Sequence, residues 1–118
     1  MSDLKIYEVS RCSTCQSLAA LLEERGVEYE GVEYHETGLD EATIRDLLAK
    51  AELGPRDILR TREPLVAELG LLDGAGVGDD ELIAAMAEHP TLMQRPIAVR
   101  GDRALLARQV ERVLELLD

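Results

Sequence analysis

The chain has 118 residues, about one domain's worth, and 46% of them are hydrophobic, which is enough for a modest core. Asp and Glu number 24 against 13 Lys and Arg, so the formal charge is −11; with three tyrosines as the whole aromatic complement, nucleic-acid and anionic-membrane surfaces are excluded. No apolar run approaches a membrane span, the N-terminus lacks a signal pattern, and two cysteines cannot build a secreted disulfide framework. The expectation is an acidic, cytoplasmic, single-domain protein.

In chain order, residues 4–7 predict a short strand. Cys12-Ser13-Thr14-Cys15 follows and leads into a helix that runs to about Arg25, with Gly26 as its left-handed stop. Cys15, Leu18, Ala19 and Leu22 form the apolar stripe of that helix. Residues 27–34 alternate loosely and predict a second strand bulged at Gly31. A mostly helical block comes next. One helix starts at an Asp40 cap and runs to about Glu52, with Ile44, Leu47, Leu48 and Ala51 inward. Gly54-Pro55 breaks the chain, and two short helices are expected around 55–61, ending on Arg60, and 64–69, closed by Gly70. A glycine-rich stretch (Gly74, Gly76, Gly78) precedes a helix capped by Asp79 that runs through Glu88 to a stop at Pro90. Residues 97–99 and 103–106 predict two strands around an Arg100-Gly101-Asp102 turn. A terminal helix from about Arg108 buries Val110, Val113, Leu114 and Leu117. The order is β-α-β, a helical block, then β-β-α.

Cys12-x-x-Cys15 lies between a strand and a helix. A thiol at a helix N-terminus faces unpaired backbone N–H groups and the positive end of the helix dipole, and both stabilise the nucleophilic thiolate. Arg11 and the hydroxyls of Ser10, Ser13 and Thr14 can add to that field. Cys12 is expected at the exposed junction, whereas Cys15 belongs to the apolar stripe and should be less accessible and less acidic. Cys15 is then either a resolving thiol or a small apolar residue in the helix–sheet interface. His35 and His89 are too far apart in sequence to complete a zinc set with the cysteines, so no metal is expected.

The basic residues are 11 arginines and 2 lysines. Most should be solvated partners of the many carboxylates. Arg60, Arg95 and Arg108 are placed differently: after the Gly54-Pro55 break, at the Pro96 entry to a buried strand, and after the last strand. Guanidinium groups match tetrahedral oxyanions with bidentate hydrogen bonds. In a chain of this charge an anion site needs several of them together. The alternative is three unrelated surface arginines.

These residues resemble the glutaredoxin-coupled arsenate reductases. The resemblance is carried by Lys5-Ile-Tyr-x-x-x-Arg11-Cys12-Ser13, by Asp46-Leu-Leu ahead of Arg60, and by Glu68-Leu-Gly-Leu71 and Leu82-Ile-x-x-Met86. Its most specific part is His89-Pro90-x-Leu92-Met93-x-Arg95-Pro96-Ile97, and Arg108 with Gln109-Val-Glu-Arg-Val-Leu-Glu-Leu116 completes it. The resemblance implies one domain over 1–118 with an α/β thioredoxin-like fold: a four-stranded mixed sheet flanked by helices, a helical insertion between strands 2 and 3, and a cis Arg95–Pro96 bond. It further implies that Cys12 attacks arsenate and that Arg60, Arg95 and Arg108 hold the oxyanion; Arg11 and Ser13, by their placement, are expected to help stabilise the thiolate. The expectation is an enzyme without a bound cofactor that acts as a monomer, takes electrons from a small thiol such as glutathione or from glutaredoxin or thioredoxin, and contacts neither nucleic acid nor membrane. The sequence departs from the family at two positions. Glu8 stands where many members have a histidine, and a carboxylate there would raise the thiol pKa unless it points away. Cys15 is unusual for arsenate reductases of this type but occurs in Spx-type relatives. A general thiol–disulfide oxidoreductase and an Spx-like redox-sensing partner of RNA polymerase therefore stay open as alternatives.

Overall fold

A computed structural model of the chain describes residues 3–9, 11–70 and 77–117. Ser10, Leu71, Gly74 and Gly76, which enter the sequence reading above, lie outside the described residues.

Four strands form one mixed sheet in the order β2-β1-β3-β4. Central β1 (Leu4–Glu8) pairs in parallel with β2 (Glu30–Glu33) and antiparallel with β3 (Ile97–Arg100), which pairs antiparallel with β4 (Arg103–Leu106). Alternation along the strands sends side chains to two cores. Leu4, Ile6, Ala98 and Leu105 meet Leu18 and Leu22 of α1 (Ser13–Glu24) on one face. Tyr7, Val9 and Ile97 meet the helical block inserted between β2 and β3 on the other. The expected thioredoxin-like architecture, including the insertion, is the one observed, and the Arg95–Pro96 bond is cis.

The first helix ends as the sequence predicts. Gly26 takes φ +69°, its N–H donates to the Glu23 carbonyl, and the Val27 N–H donates to that of Leu22 at 2.9 Å. This Schellman closure also explains why β2 is shorter than expected. Val27 is committed to the helix end, so pairing with β1 starts only at Glu30 and stops at Glu33, with Gly31 in regular register opposite Ile6 and no bulge. Tyr34, expected in the strand, instead opens the single-turn helix α2 (Tyr34–Thr37).

The insertion continues with α3 (Glu41–Ala51), where Asp40 Oδ1 accepts from the Thr43 N–H at 2.8 Å and so acts as the predicted cap. Residues Pro55–Ile58 form one 3-10 turn rather than a helix to residue 61, because Leu59 turns extended and bridges Met93; Arg60 therefore lies beyond that turn and not on a helix. The helices α4 (Pro64–Glu68) and α5 (Asp79–Glu88) follow. Gly78, not Asp79, caps α5, and Asp79, Asp80 and Glu81 fill its first turn, where the helix dipole favours carboxylates.

The terminal segment is a 3-10 helix over Val110–Leu116 instead of an α-helix from Arg108. Its three-residue period stacks Val110, Val113 and Leu116 on one side; Val113 and Leu116 are buried there, while Leu114 and Leu117 are only partly covered. Its last carbonyls are satisfied from the β3–β4 hairpin: Arg100 Nη1 donates to the Leu116 carbonyl at 2.8 Å and Arg103 Nη2 to that of Glu115 at 2.7 Å.

Tyr34 ties the insertion to the strand that leads into β3. It is fully buried, and its hydroxyl donates to the Met93 carbonyl at 2.8 Å. Tyr34→Phe would leave that carbonyl buried without this donor and should lower the unfolding free energy by about 1–3 kcal/mol, measured as a reduced urea midpoint at unchanged slope.

Candidate active site

Strand pairing explains why distant residues meet. Tyr7 near the end of β1 pairs with Ile97 at the start of β3, and Ile97 pairs with Leu106 at the end of β4. The chain after β1, before β3 and after β4 therefore emerges at one end of the sheet. Cys12, Arg95 and Arg108 sit on those three connections. The Ala107 N–H donates to the Pro96 carbonyl at 2.9 Å, and Arg108 Nη1 donates to the Arg95 carbonyl at 2.6 Å, which fixes the third connection to the second. Arg108 lies in the bend before the terminal 3-10 helix rather than on it.

Arg60 reaches the same end through the Leu59–Met93 bridge. The Arg60 N–H donates to the Leu92 carbonyl at 2.7 Å and the Gln94 N–H to that of Ile58 at 2.6 Å, so the two segments run side by side. Arg60, Thr61, Arg62, Gln94 and Arg108 line a polar cleft of about 390 Å³. Larger grooves of about 450 and 620 Å³ lie over α3 and beside α1; none of the three is lined by a cysteine, and only the arginine cleft is linked to one, through Arg95. Arg95 joins the cleft to the thiol: its guanidinium reaches the Cys12 sulfur, and its carbonyl receives Arg108.

Cys12 is the N-cap of α1 and is half-buried, more covered than a fully exposed junction would leave it. Burial pushes its thiol up, but the Cys15 N–H, the Arg95 guanidinium, the Thr14 N–H and the Cys15 thiol together outweigh burial and bring the pKa down to about 7. Arg11 is exposed in the preceding turn and Ser13 is exposed as the first helical residue, so the strongest support for the sulfur comes from other groups. Burial would lower the Arg95 pKa, but Tyr34 and Cys12 offset it, and the guanidinium stays charged.

Cys15 has the opposite character. It is 3% exposed, and burial, joined by the charges of Cys12 and Glu8, pushes its thiol up to about 12. Both cysteines are free thiols. Glu8 continues the Leu4-Ile6 row on the α1 face of the sheet. A Cβ at Gly31 would lie 2.9 Å from Glu8 Oε2, so the glycine makes room for this carboxylate. Burial and then Glu33 raise the Glu8 pKa, and its charge acts on Cys15 and Tyr29. The adverse carboxylate thus bears on the second cysteine, not chiefly on the first.

Tyr34 was not singled out from the sequence. Burial pushes its hydroxyl up to about 12, opposed by the charges of Arg95 and Arg60, so both guanidiniums approach it from the site. The one available signal was a tyrosine in a chain with few aromatics, whose buried hydroxyl would require a partner. Among the described residues no three His, Cys, Asp or Glu gather as metal ligands, and no helix is long and apolar enough to cross a membrane.

A family model, described as the ArsC family, matches residues 7–116. The chain belongs to the ArsC family. It is 36% identical over 118 residues to an arsenate reductase of Neisseria meningitidis, covering 99% of this chain and 100% of the relative. It is 43% identical over 115 residues to the "Uncharacterized protein YfgD" of Escherichia coli, covering 97% and 96% of the two chains. Among solved structures, an arsenate reductase from Vibrio cholerae superposes with a TM-score of 0.90 at 38% identity, covering 95% of each chain.

The thiol environment makes a direct prediction for this ArsC-family chain. Because the Cys12 pKa is lowered, its thiolate fraction grows as pH rises through about 7, while Cys15 stays protonated until far more alkaline pH. Iodoacetamide labelling should modify one cysteine with a midpoint near pH 7. Arg95→Ala removes a group that stabilises the thiolate, so the midpoint should move upward, toward the ordinary cysteine value of about 8.5. An unchanged midpoint in that variant would show that the guanidinium does not act on the sulfur.

Proposed function

We propose that the chain is a cytoplasmic, monomeric, thiol-dependent arsenate reductase, with Cys12 as nucleophile and Arg60, Arg95 and Arg108 as the oxyanion site. The observation that carries this reading is a thiol of pKa about 7 under the Arg95 guanidinium, beside a cleft that Arg60 and Arg108 line. Family membership and the arsenate reductases among its relatives support the substrate.

Arsenate is a tetrahedral dianion near neutral pH, so an approaching thiolate meets repulsion. Fixed guanidiniums offset that repulsion and stabilise charge on the departing oxygen. The Cys12 sulfur forms a bond to arsenic, and one oxygen leaves as water once protonated. A second thiol then attacks the Cys12 sulfur; the sulfur–arsenic electron pair stays on arsenic, which becomes arsenite, and the two sulfurs form a disulfide. The two thiols thereby supply the two electrons.

Cys15 can be that second thiol. The negative charge of Cys12 is one of the causes that keep the Cys15 pKa high, and it vanishes once Cys12 is bonded to arsenic. The first step thus makes Cys15 easier to ionise for the second. A Cys12–Cys15 bridge would then be reopened by a thioredoxin-like donor, whereas glutathione with glutaredoxin would serve the monothiol route.

Arsenite production tests the proposal. Cys12→Ser should abolish it, and Arg60→Ala, Arg95→Ala or Arg108→Ala should each slow it about 10²–10³-fold. Cys15→Ser should remain active with glutathione and lose turnover with thioredoxin; equal turnover with both donors would remove Cys15 from the cycle. Disulfide reduction by the wild type without arsenite production would make it a general thiol–disulfide oxidoreductase instead.

A further inference from the structure

The cleft that Arg95 links to Cys12 offers more room and more charge than one tetrahedral anion uses. Its volume of about 390 Å³ falls in the ~300–1,000 Å³ range of pockets that enclose drug-sized ligands. Three of its five lining residues are arginines, and Arg95 adjoins them. The positions of these guanidiniums differ. Arg95 reaches the sulfur, Arg108 is fixed to the Arg95 carbonyl, and Arg60 stands 3.6 Å from Glu63. Arg62 makes no ion pair or hydrogen bond among the described residues, although the chain carries 24 carboxylate side chains. Other exposed arginines have found such partners, as Arg45 has in Asp80 at 2.7 Å and Arg112 in Glu115 at 3.2 Å. Grouping like charges without an anion between them is unfavourable. A guanidinium left unpaired beside two others is therefore set to receive a negatively charged ligand.

We propose that Arg62, with Thr61 and Gln94, forms a second anion subsite that holds a carboxylate of the small thiol or disulfide reacting at Cys12. Arg62 presents a planar fork suited to a carboxylate, Thr61 supplies a hydroxyl, and Gln94 supplies a side-chain amide. Arg62 would then select among thiol partners by charge, while Arg60, Arg95 and Arg108 remain for the oxyanion. The inference rests on the reading of Cys12 as a nucleophile but not on arsenate.

Thiol–disulfide exchange isolates this subsite. The Cys12 thiolate attacks one sulfur of a disulfide, the disulfide bond breaks, and the other half leaves as a thiolate, so no oxidant beyond the disulfide is needed. The rate at which reduced protein disappears is followed by mass spectrometry after acid quenching, with glutathione disulfide and with neutral bis(2-hydroxyethyl) disulfide as probes. Arg62→Gln should slow the reaction with glutathione disulfide about 5–10-fold, the effect of losing one charge-assisted contact at a solvent-open site, and leave the neutral probe unchanged. Arg62→Lys should recover part of the loss, and raised salt should erode the wild type's preference for the charged probe. Equal slowing with both probes, or no slowing with either, would overturn the subsite. Because no arsenate is present, charge-selective exchange in a protein that yields no arsenite would refute the proposed reductase activity alone. Arsenite turnover with charge-blind exchange would refute the subsite alone.

Discussion

The acidity of the Cys12 thiol depends on one junction, where the sulfur meets the N-terminus of α1 and the Arg95 guanidinium. A half-buried thiol on a chain of charge −11 should be less acidic than a free one, since both desolvation and the general field oppose its ionisation. The helix N-terminus and one arginine reverse that. The arginine in turn depends on the Tyr34 pillar, because the Tyr34 hydroxyl holds the Met93 carbonyl two residues before it and faces its charge. Sulfur, guanidinium and phenol form a small charged assembly at the end of the sheet where β1 finishes and β3 begins.

The two cysteines show how strongly position governs a thiol three residues from its twin. Cys12 has the helix N-terminus and a cation. Cys15, one turn further on, has the apolar stripe, a neighbouring thiolate and the Glu8 carboxylate. One is poised near neutrality and the other is held protonated. That asymmetry suits an ordered sequence in which the outer sulfur reacts first, because reaction of the outer sulfur removes a charge that restrains the inner one.

The arginines divide similarly. Arg100 and Arg103 are structural, giving hydrogen bonds to carbonyls at the end of the terminal 3-10 helix. Arg45 and Arg112 pair with carboxylates at the surface, where such contacts contribute little to stability. Arg60, Arg62, Arg95 and Arg108 instead share one end of the molecule, a local excess of positive charge on an acidic chain. The net charge of the chain offers no long-range attraction to an anion, so under the proposed function capture would rest on these short-range contacts.

Local patterns were legible in the chain wherever one segment settles its own conformation. The α1 stripe, the Gly26 stop, the Asp40 cap and the β3–β4 hairpin all follow from a few adjacent residues. So does the contrast between Cys12 and Cys15, since helical spacing alone puts the second sulfur on the buried face. The chain departs from its local pattern where another segment competes: the close of α1 takes Val27, distant Met93 takes Leu59, and packing against α1 and the hairpin gives the terminal segment a three-residue period. The meeting of Cys12, Arg60, Arg95 and Arg108, and the entry of Tyr34 and Arg62 into that neighbourhood, were decided by tertiary structure alone. Strand register brings three of the connections to one end of the sheet, and the Leu59–Met93 bridge brings the fourth segment to it. No local pattern encodes either pairing, because both join residues far apart in the chain.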